Sequence, residues 1–180
     1  MNQLIPAWID GTLTPVDKLE VHRKGLRHLA VSVFVLRGDE ILLQRRALGK
    51  YHTPGLWANT CCTHPLWDEA ADACARRRLA EELGITGLTP EFRHRLEYRA
   101  DVGGGLTEHE LVDVFTAQVA GELPLAPDPD EVMETRWIGR AALLDEIAKR
   151  PGEFTPWLKI YLTRHADQIF GPGSGVSDPL

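Results

Sequence analysis

Cys62 and His64 lie two residues apart in the segment NTCCTHP, so an extended backbone turns a thiol and an imidazole to one face. A thiol can exchange a proton and an imidazole can ligate a metal. Adjacent residues of an extended segment point oppositely, which leaves Cys61 facing away as a packed small residue, a role also expected of Cys74. Glu108 and Glu110 repeat the two-residue spacing in LTEHELV, and His109 between them spoils a plain inside and outside alternation. His22 and His28 precede a strongly apolar run, with Lys18 just ahead of them. Together His22, His28, His64, Glu108 and Glu110 offer three imidazoles and two carboxylates. That set suits a borderline divalent ion such as zinc, manganese or iron, whereas magnesium alone favours oxygen ligands. Spacing leaves open whether the five converge, because seven histidines in 180 residues can scatter this way by chance.

A second group is basic. Arg45, Arg46 and Lys50 cluster ahead of the loop at residues 51–55, and Trp57 follows. They read either as a solvated loop or as a diphosphate clamp, since guanidinium forks match phosphate oxygens bidentately and Lys adds a point charge. Further on, Arg78 and Glu82 are four apart, as are Arg77 and Glu81. On a helix each pair shares a face, and a cation beside an anion suits a site that holds both a phosphate and a metal.

The elements that must position these residues follow from pattern. Residues 1–25 read as an edge strand or arm, broken by Pro6, Gly11 and Pro15. A strand from Leu29, a turn at residues 37–40 marked by Gly38 and Asp39, and a strand from Ile41 form a hairpin. Pro65 breaks the extension that carries Cys62 and His64. A helix rich in Ala, Arg, Leu and Glu then covers residues 69–83, with Gly84 as its left-handed cap. Strands are expected at residues 92–99 and 106–119 around a DVGGG loop, and at 134–138. Helices are expected at residues 140–149 and from Phe154 to about Phe170. No internal repeat of useful length is present. The chain reads as a single domain over residues 1–170, with a flexible tail at 171–180.

Composition bounds the function. A chain of 180 residues can bury a sizeable core without staples. The net charge of -6 argues against a general nucleic-acid binder, which needs a basic surface. Three cysteines, two of them adjacent, make no disulfide framework. The start MNQLIPAWIDG lacks a signal-peptide layout, and the longest mostly apolar run, residues 29–36, is too short for a bilayer. A cytoplasmic, soluble protein is expected, with no nucleic acid, membrane or obligate protein partner.

The helix at residues 69–83 resembles the Nudix box, G-x5-E-x7-R-E-U-x-E-E-x-G-U with U apolar. Seven residues separate Glu69 from Arg77, and LAEELGI closes the motif. Thr63 occupies the position of the leading Gly, and Arg78 replaces the Glu that follows the Arg. In hydrolytic Nudix proteins that Glu is a metal ligand, so a guanidinium there repels the cation and points away from ordinary pyrophosphate hydrolysis. From about Ile5 to His165 the chain resembles the type 1 isopentenyl-diphosphate isomerases. The resemblance rests on HRKGLRHLAVS, QRRALGKYHTPGLWANTCCTHP, EYRADVGGGLTEHE and FTPWL.

The resemblance implies a Nudix α/β/α sandwich around a mixed sheet, with extra N-terminal strands and a C-terminal helical element. It implies interconversion of isopentenyl and dimethylallyl diphosphate in isoprenoid biosynthesis; the alternative is a Nudix hydrolase of an organic or nucleoside diphosphate. By the same resemblance His22, His28, His64, Glu108 and Glu110 hold one manganese or zinc ion. His22 and His28 are one residue closer than in the family's bacterial pattern, which makes His22 the ligand the structure must decide. Glu82, with the Cys62 backbone, holds magnesium on the small-molecule diphosphate. Lys18, Arg46, Lys50 and Arg78 contact that diphosphate. Glu110 with Tyr98 forms one proton-transfer side and Cys62 the other, and Trp157 lies over the carbocation.

Overall fold

A computed structural model describes residues 3–172 of the chain. Of the tail expected from residue 171, residues 173–180 lie outside the described residues.

The strand His28–Arg37 (β3) sits at the centre of the fold. Its apolar run is buried on both faces: Ala30, Phe34 and Leu36 point into one core and Val31, Val33 and Val35 into another. A continuous apolar strand of this kind needs cover on both sides. The helix Ala71–Leu83 (α2) covers the second core through Cys74, Ala75, Leu79 and Leu83. The first core is filled from the C-terminal part of the chain. Leu143 and Ile147 come from the helix Arg140–Lys149 (α3), and Trp157, Leu158, Tyr161 and Leu162 from the helix Pro156–Arg164 (α4). Ile169 comes from the short helix Ala166–Phe170 (α5). The last helix expected from sequence is thus broken at His165, whose φ of -131° is not helical.

The sheet is mixed and has nine strands among the described residues. The strand Leu106–Gln118 (β8) runs parallel to β3, with His28 opposite Glu110 and Ser32 opposite Val114. The strand Glu91–Gly103 (β7) pairs antiparallel with β8, placing Tyr98 opposite Glu110. This strand outruns the expected boundary at Arg99, so only the tip of DVGGG remains as the turn. The strand Cys61–Thr63 (β6) pairs with β3 and sets Cys62 opposite Ser32. The strand Glu40–Arg46 (β4) pairs with the short Trp57–Ala58 (β5) and with Val132–Gly139 (β9).

Of the edge strand or arm expected at the N-terminus the structure forms the edge, as a two-stranded hairpin rather than a single strand. Leu4–Ile9 (β1) and Thr12–Asp17 (β2) form a hairpin that joins β3 through the Ala7 to His28 pair. Its own small core contains Ile5, Ala7, Val16 and Val21. The helix Lys18–Lys24 (α1) follows directly, capped by the Asp17 carboxylate, which accepts from the backbone N–H groups of Leu19 and Glu20. Gly25 ends it in the left-handed region at φ 60°.

Candidate active site

The strand registers bring the chemistry together. On β8, Glu108 and Glu110 are buried, while His109 turns to the opposite side and lies 3.1 Å from Glu97. His28 opens β3 beside Glu110, and His64 leaves β6 directly after Thr63. His22 arrives from α1, fully buried. Its shorter spacing to His28 is absorbed by the end of α1 at Gly25, and His22 joins the cluster with the other two imidazoles.

Glu108 Oε2 lies 3.1 Å from His22 Nε2, 3.3 Å from His28 Nε2 and 3.9 Å from His64 Nε2. Yet this buried oxygen has no partner in hydrogen-bond geometry. The ligating atoms of His22, His28, His64 and Glu108 all lie within 4.8 Å of one another. Glu110 Oε1 is 3.0 Å from His64 Nε2, and its Oε2 accepts from the Tyr98 hydroxyl at 2.7 Å. Two imidazoles are oriented from behind, because the Nδ1–H groups of His22 and His28 donate to the carbonyls of Lys18 and Leu26. Such bonds turn the Nε2 atoms inward, as ligating histidines require. Three imidazole nitrogens and the orphaned Glu108 Oε2 could hold a divalent cation, and Glu110 lies beside that group of four without being part of it.

The electrostatics agree with that donor set. Burial alone would raise the Glu108 carboxyl, but the surrounding imidazoles of His22, His28, His52 and His64 hold it well below the carboxylate range. Burial would lower His28, yet the two carboxylates outweigh it and lift the imidazole to about 9. The same negative field suits a dication. Burial pushes the Cys62 thiol far up, aided by the Glu110 charge, and hydrogen bonds involving Ser32 and Tyr161 oppose the rise only in part. Burial and the Glu108 charge push the Glu110 carboxyl up, but the imidazoles of His28 and His64 outweigh them and hold it below its ordinary value.

Lys18, Arg46, Lys50 and Arg78 line the same cavity as Cys62, Glu110, Tyr98 and Trp157. Burial, with the Lys50 and Arg78 charges adding to it, lowers Lys18 to about 8. Arg46 stacks on Trp157 at 5.3 Å, and its buried Nε has no partner. Lys50 pairs with Glu131. Arg78 pairs with Glu82 at 2.6 Å and with Glu131 at 3.2 Å. The second oxygen of Glu82 accepts from the Gln44 side chain at 2.9 Å, so this carboxylate lies on the cavity wall outside the histidine cluster. Cys61 is fully buried in the core beneath α2, on the other side of the sheet from Cys62.

A NUDIX domain model matches residues 26–158. An isopentenyl-diphosphate Delta-isomerase of Ruegeria pomeroyi is 70% identical over 177 residues, 98% of each chain. Another, of Cereibacter sphaeroides, is 61% identical over 171 residues, 95% of this chain and 97% of that one. The chain belongs to the isopentenyl-diphosphate Delta-isomerase family of NUDIX proteins. Two solved structures share the fold. DR0079 of Deinococcus radiodurans has a TM-score of 0.64 at 14% identity and covers 82% of this chain and 89% of its own. A MutT NUDIX hydrolase of Burkholderia pseudomallei has a TM-score of 0.58 at 22% identity, with 74% and 94% covered.

Among the side chains that touch this isomerase-family site, several had no role expected from the sequence, and three of them bear directly on Glu108 and Cys62. His52 lies 3.1 Å from Glu108, Ser32 lies 3.4 Å from the Cys62 sulfur, and the Tyr161 hydroxyl lies 3.8 Å from it. Ser32 and Tyr161 sit inside apolar runs and gave no signal. His52, two residues after Lys50, had its place beside the basic cluster as a signal.

Proposed function

We propose that the chain interconverts isopentenyl and dimethylallyl diphosphate at the cavity lined by Cys62, Tyr98 and Glu110. The observation that carries this reading is Arg78, which pairs with Glu82 where a hydrolase of this fold carries a metal-binding Glu. That exchange favours holding the diphosphate over cleaving it, so the chemistry moves to carbon.

Moving the double bond adds a proton at C4, creates a tertiary carbocation at C3, and removes a proton from C2. Glu110, hydrogen-bonded to Tyr98, delivers the first proton, and the Cys62 thiolate takes the second. After that turnover Cys62 is a thiol and Glu110 a carboxylate. The reverse reaction starts from this state, and a forward cycle requires the proton to return first. Trp157 faces the cation, where an aromatic surface contributes on the order of 2 kcal/mol when desolvated.

We assign manganese or zinc to His22, His28, His64, Glu108 and Glu110, and magnesium to Glu82 with the Cys62 backbone. When bound, the first ion fixes the Glu110 carboxyl and the second neutralises diphosphate charge. Lys18, Arg46, Lys50 and Arg78 grip the diphosphate, and the partnerless Nε of Arg46 supports this role. The free thiols of Cys61, Cys62 and Cys74 fit the cytoplasm. The reaction needs no nucleic acid, membrane or obligate protein partner.

Incubation with isopentenyl diphosphate, magnesium, and manganese or zinc should yield dimethylallyl diphosphate. Absence of product, with phosphate or monophosphate released from organic or nucleoside diphosphates, overturns the isomerase reading in favour of a hydrolase.

A further inference from the structure

His52 is the imidazole against Glu108 that the proposed ligand set leaves unused. Glu108 Oε2 faces His22, His28 and His64, whereas Oε1 lies 3.1 Å from His52 Nε2. The His52 Nδ1 lies 3.1 Å from the Thr53 hydroxyl. A neutral ring with its proton on Nε2 satisfies both contacts, donating to the carboxylate and accepting from the hydroxyl. The ring is held on both sides, edge-on to Tyr51 at 4.4 Å and to Trp157 at 5.8 Å between centroids. Its backbone carbonyl also accepts from Arg46 Nη2 at 3.2 Å. The loop adopts an uncommon conformation to do this: Thr53, β-branched and buried, sits at φ 46°.

We propose that His52 is a positioning residue for the metal site, holding Glu108 Oε1 so that Oε2 alone is presented to the ion among the three histidines. Through its carbonyl and ring the same residue ties that carboxylate to Arg46 and Trp157, so the metal and diphosphate sides of the cavity share one rigid loop. This inference rests on the metal-site reading above. Removing a hydrogen-bond partner of a metal ligand typically weakens metal binding by about 10- to 100-fold.

The test is a chelator-competition titration of the purified protein with manganese and with zinc, each alone, on wild type, H52Q and H52N. Melting temperatures are taken without metal. Gln places an amide N–H near the Nε2 position and Asn only near Nδ1, so the two variants share polarity and differ in reach. H52Q should bind within about threefold of wild type. H52N should bind about 10- to 100-fold more weakly, with melting temperatures of the two variants alike. H52N binding as tightly as wild type, or H52Q weakened as much as H52N, overturns the positioning role while leaving the metal site intact. Failure of wild type to take up either ion overturns the metal-site reading, and this inference with it.

Discussion

Cys61 and Cys62 are neighbours in the chain that serve opposite sides of the sheet. Cys61 packs under α2 with Val31 and Val33, while Cys62 opens into the cavity with Tyr98 and Glu110. Replacing Cys62 by Ala should lower kcat by roughly 100- to 10,000-fold, the range of a lost proton-transfer group. Cys61→Ala should stay within a few-fold of wild type, and steady-state assays showing comparable losses in both would contradict the assignment. The alternation of an extended strand made this pair legible in sequence. The surroundings of Cys62 were not legible, because Ser32 and Tyr161 meet its sulfur only once β3, β6 and α4 are packed. The basic cluster beside His52 was a signal for the residue, but its contact with Glu108 was hidden, since 56 positions of chain separate the two.

At the scale of elements, α2 shows how a motif reads before its contacts do. The helix starts at Ala71, two residues after the expected Glu69. Glu69 stays outside because its carboxylate accepts from Arg77 Nε and Nη2, both at 2.7 Å, and from the Leu66 N–H. These bonds to Arg77 hold the Glu69 carboxyl below its ordinary value of 4.5. A depressed carboxyl contributes stability that is present above the unfolded value and is lost as pH falls through the folded one. Glu69→Gln should therefore cost about 1 to 2 kcal/mol at neutral pH. The difference from wild type in urea melts should shrink steadily toward acid; a gap independent of pH would contradict the ion pair. At the other end, Gly84 sits at φ 67°, and a Cβ there would meet the Ala126 Cβ at 2.7 Å and the Ala126 carbonyl at 3.0 Å. Gly84→Ala should destabilise by at least about 1 kcal/mol, read in the same melts. The cap was legible from the Gly alone, whereas the close approach of residue 126 depends on a proline-rich loop without periodic pattern. The break at His165 was likewise hidden, because the apolar spacing continues across it.

Across the whole molecule, β3 organises both cores, and its N-terminal end delivers His28 to the cluster. Its apolar run and the following turn made the central hairpin readable. The hairpin of β1 and β2 was not, since Pro6 and Pro15 pair with each other across strands too short to show a period. That hairpin leads into α1, which carries Lys18 and His22, so one N-terminal unit brings an ammonium and an imidazole to residues supplied by β6, β8, α2 and the loop after β4. Residue types alone picked out His22, His28, His64, Glu108 and Glu110, but their convergence came from family resemblance, because no local pattern joins those positions. The cavity brings His64 and Glu108 together with the basic side chains, Cys62, Tyr98 and Glu110, and the central claim is that its chemistry occurs on carbon. Conversion of isopentenyl diphosphate in D2O, with magnesium and manganese or zinc and followed by NMR, tests this directly. The expected result is dimethylallyl diphosphate carrying deuterium in the methyl group derived from C4, with the diphosphate intact. Release of phosphate without deuterium entering carbon would contradict the account.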